Sequence, residues 1–72
     1  MKVINEMGES TKYKNENIKM LFNINKETNF KVLSEKKLLI TTQINNKFPL
    51  KWIIENPTKE ALNYFKINFK EV

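Results

Sequence analysis

The side chains that could do chemistry in this chain are carboxylates, hydroxyls and amines. It contains eight glutamates, thirteen lysines and two serines, Ser10 and Ser34, but no histidine, cysteine, aspartate or arginine. Acid–base catalysis near neutral pH most often uses histidine, and a serine nucleophile needs an adjacent base. Neither serine has an evident base partner, so we expect both to be turn residues and the protein to be non-catalytic.

The same composition argues against a cofactor or a metal site. Metal ligands would have to be glutamates, asparagines and backbone carbonyls, and the glutamate spacing does not match an oxygen-ligand loop. Gly8 is the only glycine, which excludes a glycine-rich phosphate loop. We therefore expect no cofactor and no metal.

The remaining chemistry is the positive charge of lysine, which gives a formal net charge of +5. Lysine and asparagine have A/T-rich codons and are abundant here, so part of this charge reflects an AT-rich genome. The absence of arginine, whose forked guanidinium pairs with phosphate and guanine, disfavours sequence-specific DNA recognition. Nonspecific attraction to phosphates and attraction to an acidic protein surface both stay open.

Chain length and hydropathy predict a single domain over residues 1–72. This length is close to the lower limit at which a core without disulfides can hold a fold. No uninterrupted apolar run exceeds three residues, and the N-terminal segment has no signal-peptide core. We expect a cytoplasmic protein that does not contact membranes, in the host cytoplasm if a phage encodes it.

Alternating apolar and polar residues predict the strands that position these side chains. Residues 17–25 would place Ile18, Met20, Phe22 and Ile24 on one face. Residues 30–34 and 38–45 are expected to pair as a hairpin across a turn at 34–37.

Two further segments complete the predicted sheet. Residues 48–55 supply the next strand, in which Pro49 requires either an edge position or a late start. Residues 1–7 form a weaker candidate strand with Val3 pointing inward, and residues 8–17 are expected to be a mobile loop.

The C-terminal segment, residues 56–72, admits two interpretations. As a helix it would have Asn56 as N-cap and Pro57 at the first position, and its apolar residues would fall within an arc of roughly 100°. Those residues are Ala61, Leu62, Phe65, Phe69 and Val72. As a strand after Phe65, residues 65, 67 and 69 would share a face. We favour the helix, and hence an α+β domain in which one C-terminal helix covers an antiparallel meander of three to five strands.

The sheet face opposite this helix is the first candidate binding surface. Its candidate contact residues are Lys19, Leu21, Lys31, Leu33, Leu39, Lys51 and Ile53. The four apolar members would form a stripe ringed by lysines, as in protein-binding or self-association surfaces. Alternatively, the N-terminal segment covers this face, or the four are isolated exposed residues.

The outer side of the predicted helix is the second candidate. Tyr64 and Ile67 lie next to each other there and could contact a partner, or they could pack against the helix margin or the N-terminal strand. Trp52 is expected in the core with the other large aromatics, so the lysine-rich face lacks the rings that stack nucleic-acid bases.

These features favour a small binding protein that occupies a surface of another protein. Small size, AT-rich composition and poverty in catalytic groups suggest a phage or mobile-element inhibitor of a host enzyme or defence complex. Two alternatives stay open. One is an accessory protein that binds nucleic acid nonspecifically through lysine, and the other is a structural subunit, such as a homodimer, in which the apolar stripe pairs with itself.

Overall fold

The computed structural model describes residues 1–24, 27–43 and 49–72, which form two helices and a six-stranded sheet. In chain order the elements are β1 (Lys2–Ile4), β2 (Ser10–Lys12), α1 (Asn15–Leu21), β3 (Glu27–Ser34), β4 (Lys37–Gln43), β5 (Pro49–Glu55), α2 (Lys59–Asn68) and β6 (Lys70–Glu71). The strands lie in the order β2, β1, β5, β4, β3, β6, and β3 and β6 are the one parallel pair of neighbours among them. The predicted α+β class is confirmed. The described sheet is larger than expected and mixed, and it carries a second helix.

The centre of the sheet is the predicted meander of β3, β4 and β5. The β3–β4 turn is closed by Ser34, whose Oγ accepts a hydrogen bond from the Lys36 N–H at 3.2 Å. β5 begins at Pro49 and lies between β1 and β4, but β1 pairs only with Ile53, Ile54 and Glu55, so the proline stands at the start of the strand where β1 does not reach. The end of the strand predicted over residues 38–45 and the start of the one predicted over residues 48–55 lie outside the described residues.

Helix α1 replaces the strand predicted over residues 17–25. Ile18 and Phe22 are fully buried, as expected, but Met20 is 73% exposed and Ile24 is 66% exposed. A spacing of four residues keeps two side chains on one face in both a helix and a strand, whereas a spacing of two does so only in a strand. At the start of the helix, the Lys14 N–H donates to Asn17 Oδ1 at 3.1 Å.

The N-terminal segment forms the hairpin β1–β2, where a weak strand and a mobile loop were expected. Asn5 closes its turn, because Asn5 Oδ1 accepts hydrogen bonds from the N–H groups of Met7 and Glu9, each at 3.0 Å. Gly8 adopts a φ of 82°, which a glycine tolerates without strain. Val3 is 3% exposed and points inward, as predicted. Because β1 pairs with β5 in the sheet, this segment extends the sheet instead of covering its second face.

Helix α2 confirms the C-terminal helix but not its predicted cap or end. Thr58, not Asn56, is the N-cap, since its Oγ1 accepts from the Ala61 N–H at 3.0 Å. Asn56 has a φ of 55° and turns the chain out of β5. The helix ends at Asn68 and the two-residue β6 follows, so each interpretation describes part of the segment. Val72, expected in the core, is 64% exposed.

One core lies between the helices and the sheet. Its buried apolar residues are Val3, Ile18, Phe22, Phe30, Leu38, Ile40, Ile54, Ala61 and Phe65. The Phe65 ring lies 5.5 Å from that of Phe22 and 6.0 Å from that of Phe30, measured between centroids. This aromatic contact joins both helices to the sheet.

A hydrogen bond from Tyr64 fixes the end of α1 against α2. The Tyr64 hydroxyl donates to the Phe22 carbonyl at 2.6 Å, and its ring meets Phe65 and Phe69 edge-on. Burial raises the pKa of Tyr64 above its ordinary value of 10.0.

We expect Tyr64→Phe to lower the free energy of unfolding by about 1 kcal/mol, because it removes one hydrogen bond and leaves a carbonyl at the end of α1 unsatisfied. Urea unfolding followed by circular dichroism measures this change. Tyr13→Phe, between β2 and α1, is the matched control and should change stability less. Equal losses at the two positions would contradict the role given to Tyr64.

The raised pKa also predicts how stability responds to alkaline pH. Tyr64 stays protonated in the folded chain at pH values where the unfolded chain has already ionised it, so its contribution is complete below pH 10 and is lost as pH rises through the folded pKa. We expect the wild type to lose stability more steeply above this pH than Tyr64→Phe does. Parallel slopes in pH-dependent urea titrations would contradict this prediction.

Candidate functional site

The two faces of the sheet differ sharply in burial. Core residues of both helices pack on one face, and we call the other the open face. Strand alternation places on the open face Lys2, Ile4, Ser10, Lys12, Glu27, Asn29, Lys31, Lys37, Leu39, Thr41, Gln43, Lys51, Ile53, Glu55 and Lys70. None of these residues is buried. A sheet covered on one side is expected to be polar on the other, so any apolar residues there need an explanation.

Three apolar residues of the open face lie side by side in register. Ile4 pairs with Ile53, and Ile53 pairs with Leu39, on the neighbouring strands β1, β5 and β4. Ser10 and Lys31 extend the same register to the strands on either side. We call Ile4, Ile53 and Leu39 the apolar row. Each member is partly exposed, so the row is an apolar strip that water reaches.

Only part of the apolar stripe expected from the sequence is therefore present in the structure. Leu39 and Ile53 are paired neighbours, and Leu33 is 46% exposed at an irregularity of β3 between Val32 and Ser34. Leu21 does not belong to it, because α1 is a helix and Leu21 packs against the core from the covered side. Sequence reasoning missed Ile4, since a three-residue strand shows too little alternation to identify its outward residue.

Lysines surround the apolar row. Both Lys31 and Lys51 lie on the open face, as expected, whereas Lys19 lies on α1, with its Nζ 3.6 Å from Glu60 Oε2. Among the described residues the open face carries six lysines and two glutamates, a surplus of four positive charges. The rest of the described chain carries five lysines and six glutamates, a deficit of one. The basic surplus of the described chain is thus confined to the open face.

Glu55 moderates this charge at one point. Its Oε1 lies 3.8 Å from Lys2 Nζ, and it pairs in register with Lys2 on β1 and with Lys37 on β4. The carboxylate stands between two lysines, two residues along β5 from Ile53. Glu55 therefore weakens the attraction of the open face for anions.

The two residues of the second candidate surface, on α2, lie in different environments. Tyr64 packs toward the core, where its hydroxyl donates a hydrogen bond to the Phe22 carbonyl. Ile67 is 81% exposed on the outer side of α2 and is free to contact a partner or to serve as a control position.

Aromatic side chains lie away from the open face within the described part of the chain. Phe22, Phe30 and Trp52 pack on the covered side, as predicted. The Trp52 ring meets Phe22 edge-on with centroids 5.6 Å apart, and Trp52 Nε1–H donates to Thr42 Oγ1 at 3.2 Å. The described residues of the open face thus offer lysines and aliphatic carbons but no ring on which a base could stack.

A cleft of about 310 Å³ lies where the N-terminal hairpin meets the start of β5. It is lined by Asn5, Glu6, Met7, Leu50, Lys51 and Trp52. Its one carboxylate is occupied, because Glu6 Oε1 accepts a hydrogen bond from the Lys51 N–H at 2.7 Å. The cleft offers an apolar contact beside a carboxylate that is committed to the backbone of β5.

Neither a cluster of three or more acidic side chains that could act as metal ligands nor a helix long and apolar enough to span a membrane occurs in residues 1–24, 27–43 and 49–72. Comparisons with protein families, curated protein sequences and solved structures give no match.

The charge of the open face predicts that the protein stays monomeric at low ionic strength. Two copies meeting through their apolar rows would each bring a surplus of four positive charges, which repel over about 30 Å at 0.01 M salt. We expect light scattering to report a mass near the 8.6 kDa of one chain. A dimer that is already present at low salt and is lost on Leu39→Lys would contradict this and would favour the structural-subunit alternative.

Proposed function

We propose that the protein is a non-catalytic binding protein that docks its open face on an acidic surface of another protein. One observation carries the proposal: the apolar row lies in the middle of the face that holds the whole basic surplus of the described residues. Protein interfaces commonly have an apolar centre inside a charged or polar rim. Docking would remove the row from water while the surrounding lysines pair with carboxylates.

Charge and apolar area have separate roles in such a complex. Pairs between lysine and carboxylate at a solvated rim contribute little affinity each, but they speed encounter and orient the partner. Burial of the apolar row supplies affinity, at about 25 cal/mol per Å² of apolar area removed from water. A protein held on a surface in this way blocks access to it, so inhibition of the partner is the simplest consequence of binding.

Binding of nucleic acid is the second candidate, because six lysines on one face attract phosphates. The row makes this the weaker candidate. A phosphate backbone would leave Ile4, Ile53 and Leu39 facing charged groups, and no ring in the described part of the face could stack a base. Affinity for nucleic acid should then be nonspecific and fall steeply with salt.

Capture experiments with two matched substitutions test the protein-binding proposal. We expect Ile53→Glu, at the centre of the row, to abolish retention of the partner from a lysate of the organism that carries the gene. Ile67→Glu, the same change on α2, should leave retention unaltered. Mass spectrometry with nuclease-treated lysate identifies proteins that depend on Ile53, and these should expose acidic surfaces.

A lysine pair checks the contribution of charge independently. Lys37→Glu, on the open face, should lower retention more than Lys66→Glu, on α2, although both change the net charge equally. Circular dichroism confirms that each variant is folded. Retention that is indifferent to Ile53→Glu and Lys37→Glu, or that nuclease removes, would contradict the proposal.

A further inference from the structure

The spacing of the apolar row carries information about the shape of the partner. Neighbouring strands lie about 4.8 Å apart, so the two steps from Ile4 through Ile53 to Leu39 span about 10 Å across the sheet. A partner that buries all three residues at once must present apolar groups at this pitch.

An α-helix meets this requirement. Helix positions i, i+3 and i+7 lie on one side and span about 10 Å at 1.5 Å per residue. The same-face positions i, i+2 and i+4 of a strand span about 13 Å. A helix lying across the strands therefore places successive apolar residues over successive members of the row. The apolar residues of a strand in the same direction are spaced too widely to match all three members.

The lysines lie where the two flanks of such a helix would be. Two residues along the strands from the row, about 7 Å away, one flank holds Lys12, Lys2 and Lys37 around Glu55. The opposite flank holds Lys51 and Lys70 with Thr41 and Asn29 between them. A helix about 10 Å in diameter stands between these flanks, with its lateral residues within reach of both.

The sheet edges give an added strand little to pair with. β2 has three residues, and β6 pairs with Asn29 and Phe30 of β3 only. Beyond β6, the irregularity between Val32 and Ser34 interrupts β3. Short edges and bulges oppose the addition of a strand. The face, and not an edge, is the surface left for a partner.

We propose, on the basis of the protein-binding function above, that the open face binds one amphipathic α-helix with acidic flanks, its axis across the strands. Its apolar positions i, i+3 and i+7 cover Ile4, Ile53 and Leu39. Its carboxylates pair with lysines on both sides of the row.

Two synthetic peptides of identical composition test this inference. Each has about 20 residues of leucine, glutamate and alanine with blocked ends, long enough for helix formation in water. In one, leucines occur at i, i+3, i+7 and i+10. In the other they alternate at every second position. Titration of the isotope-labelled protein followed by NMR gives both the affinity and the contact residues.

We expect the helical peptide to shift the amide resonances of Ile4, Leu39 and Ile53, and to bind at least about tenfold more tightly than its isomer. Leu39→Ser should weaken binding by about tenfold, the effect of losing an apolar contact at the centre of an interface. Glu55→Gln should tighten it about two- to fivefold, because an acidic side chain between two lysines is removed.

The outcomes separate this inference from the function on which it rests. Equal affinity of the two peptides at the open face would overturn the helix but leave an acidic protein partner in place. Absence of shifts at the open face with both peptides, or tighter binding there of a single-stranded RNA at the same salt, would overturn the protein-binding function too. Shifts confined to α1 and α2 would overturn both.

Discussion

Burial of the Phe65 ring is the interaction on which the rest of the structure depends. Its neighbours come from every layer: Phe22 at the end of α1, Phe30 on β3, and Tyr64 and Phe69 on either side along α2. A chain of 72 residues without disulfides has little other means of stabilisation, so it concentrates its large apolar side chains in one place. Because α1 and α2 must share Phe65, both lie on the same face of the sheet.

This arrangement decides what the second face can be. With both helices on one side, no described element covers the other, and its side chains belong to a surface. A surface that only kept the protein in solution could be filled with polar residues along each strand. Instead three neighbouring strands each place an aliphatic residue at the same level, which leaves apolar carbon exposed in a chain that needs such carbon in its core. Function is the simplest reason to keep it there.

The sequence predicts the fold correctly where the pattern of apolar residues fits only one kind of secondary structure. The hairpin of β3 and β4 alternates over enough residues to be unambiguous, and the arc of apolar residues after Asn56 and Pro57 predicts α2, with an N-cap two residues too early. Residues 18, 20 and 22 and residues 65, 67 and 69 show the same apolar alternation, yet both segments belong to the last turn of a helix and its C-cap. In each, the pair spaced by four packs on the core, although Phe69 is only partly buried. Met20 and Ile67 are the exposed middle residues, at 73% and 81%. The alternation alone does not show whether the middle residue is buried or exposed, because that depends on whether the segment itself folds as a strand or as a helix.

The candidate site shows a different limit of sequence reasoning. Leu39 and Ile53 could be foreseen because their strands were correct, whereas Leu21 and Lys19 moved to the covered side along with α1. The charge is the more instructive case. An AT-rich genome explains why lysine is abundant, and it would supply lysine to every exposed position alike. It does not explain where the glutamates lie: six of them balance the five described lysines outside the open face, and two lie on it. The asymmetry comes from the placement of the acidic residues, so the basic character of the open face is a property of the fold that a net charge of +5 conceals.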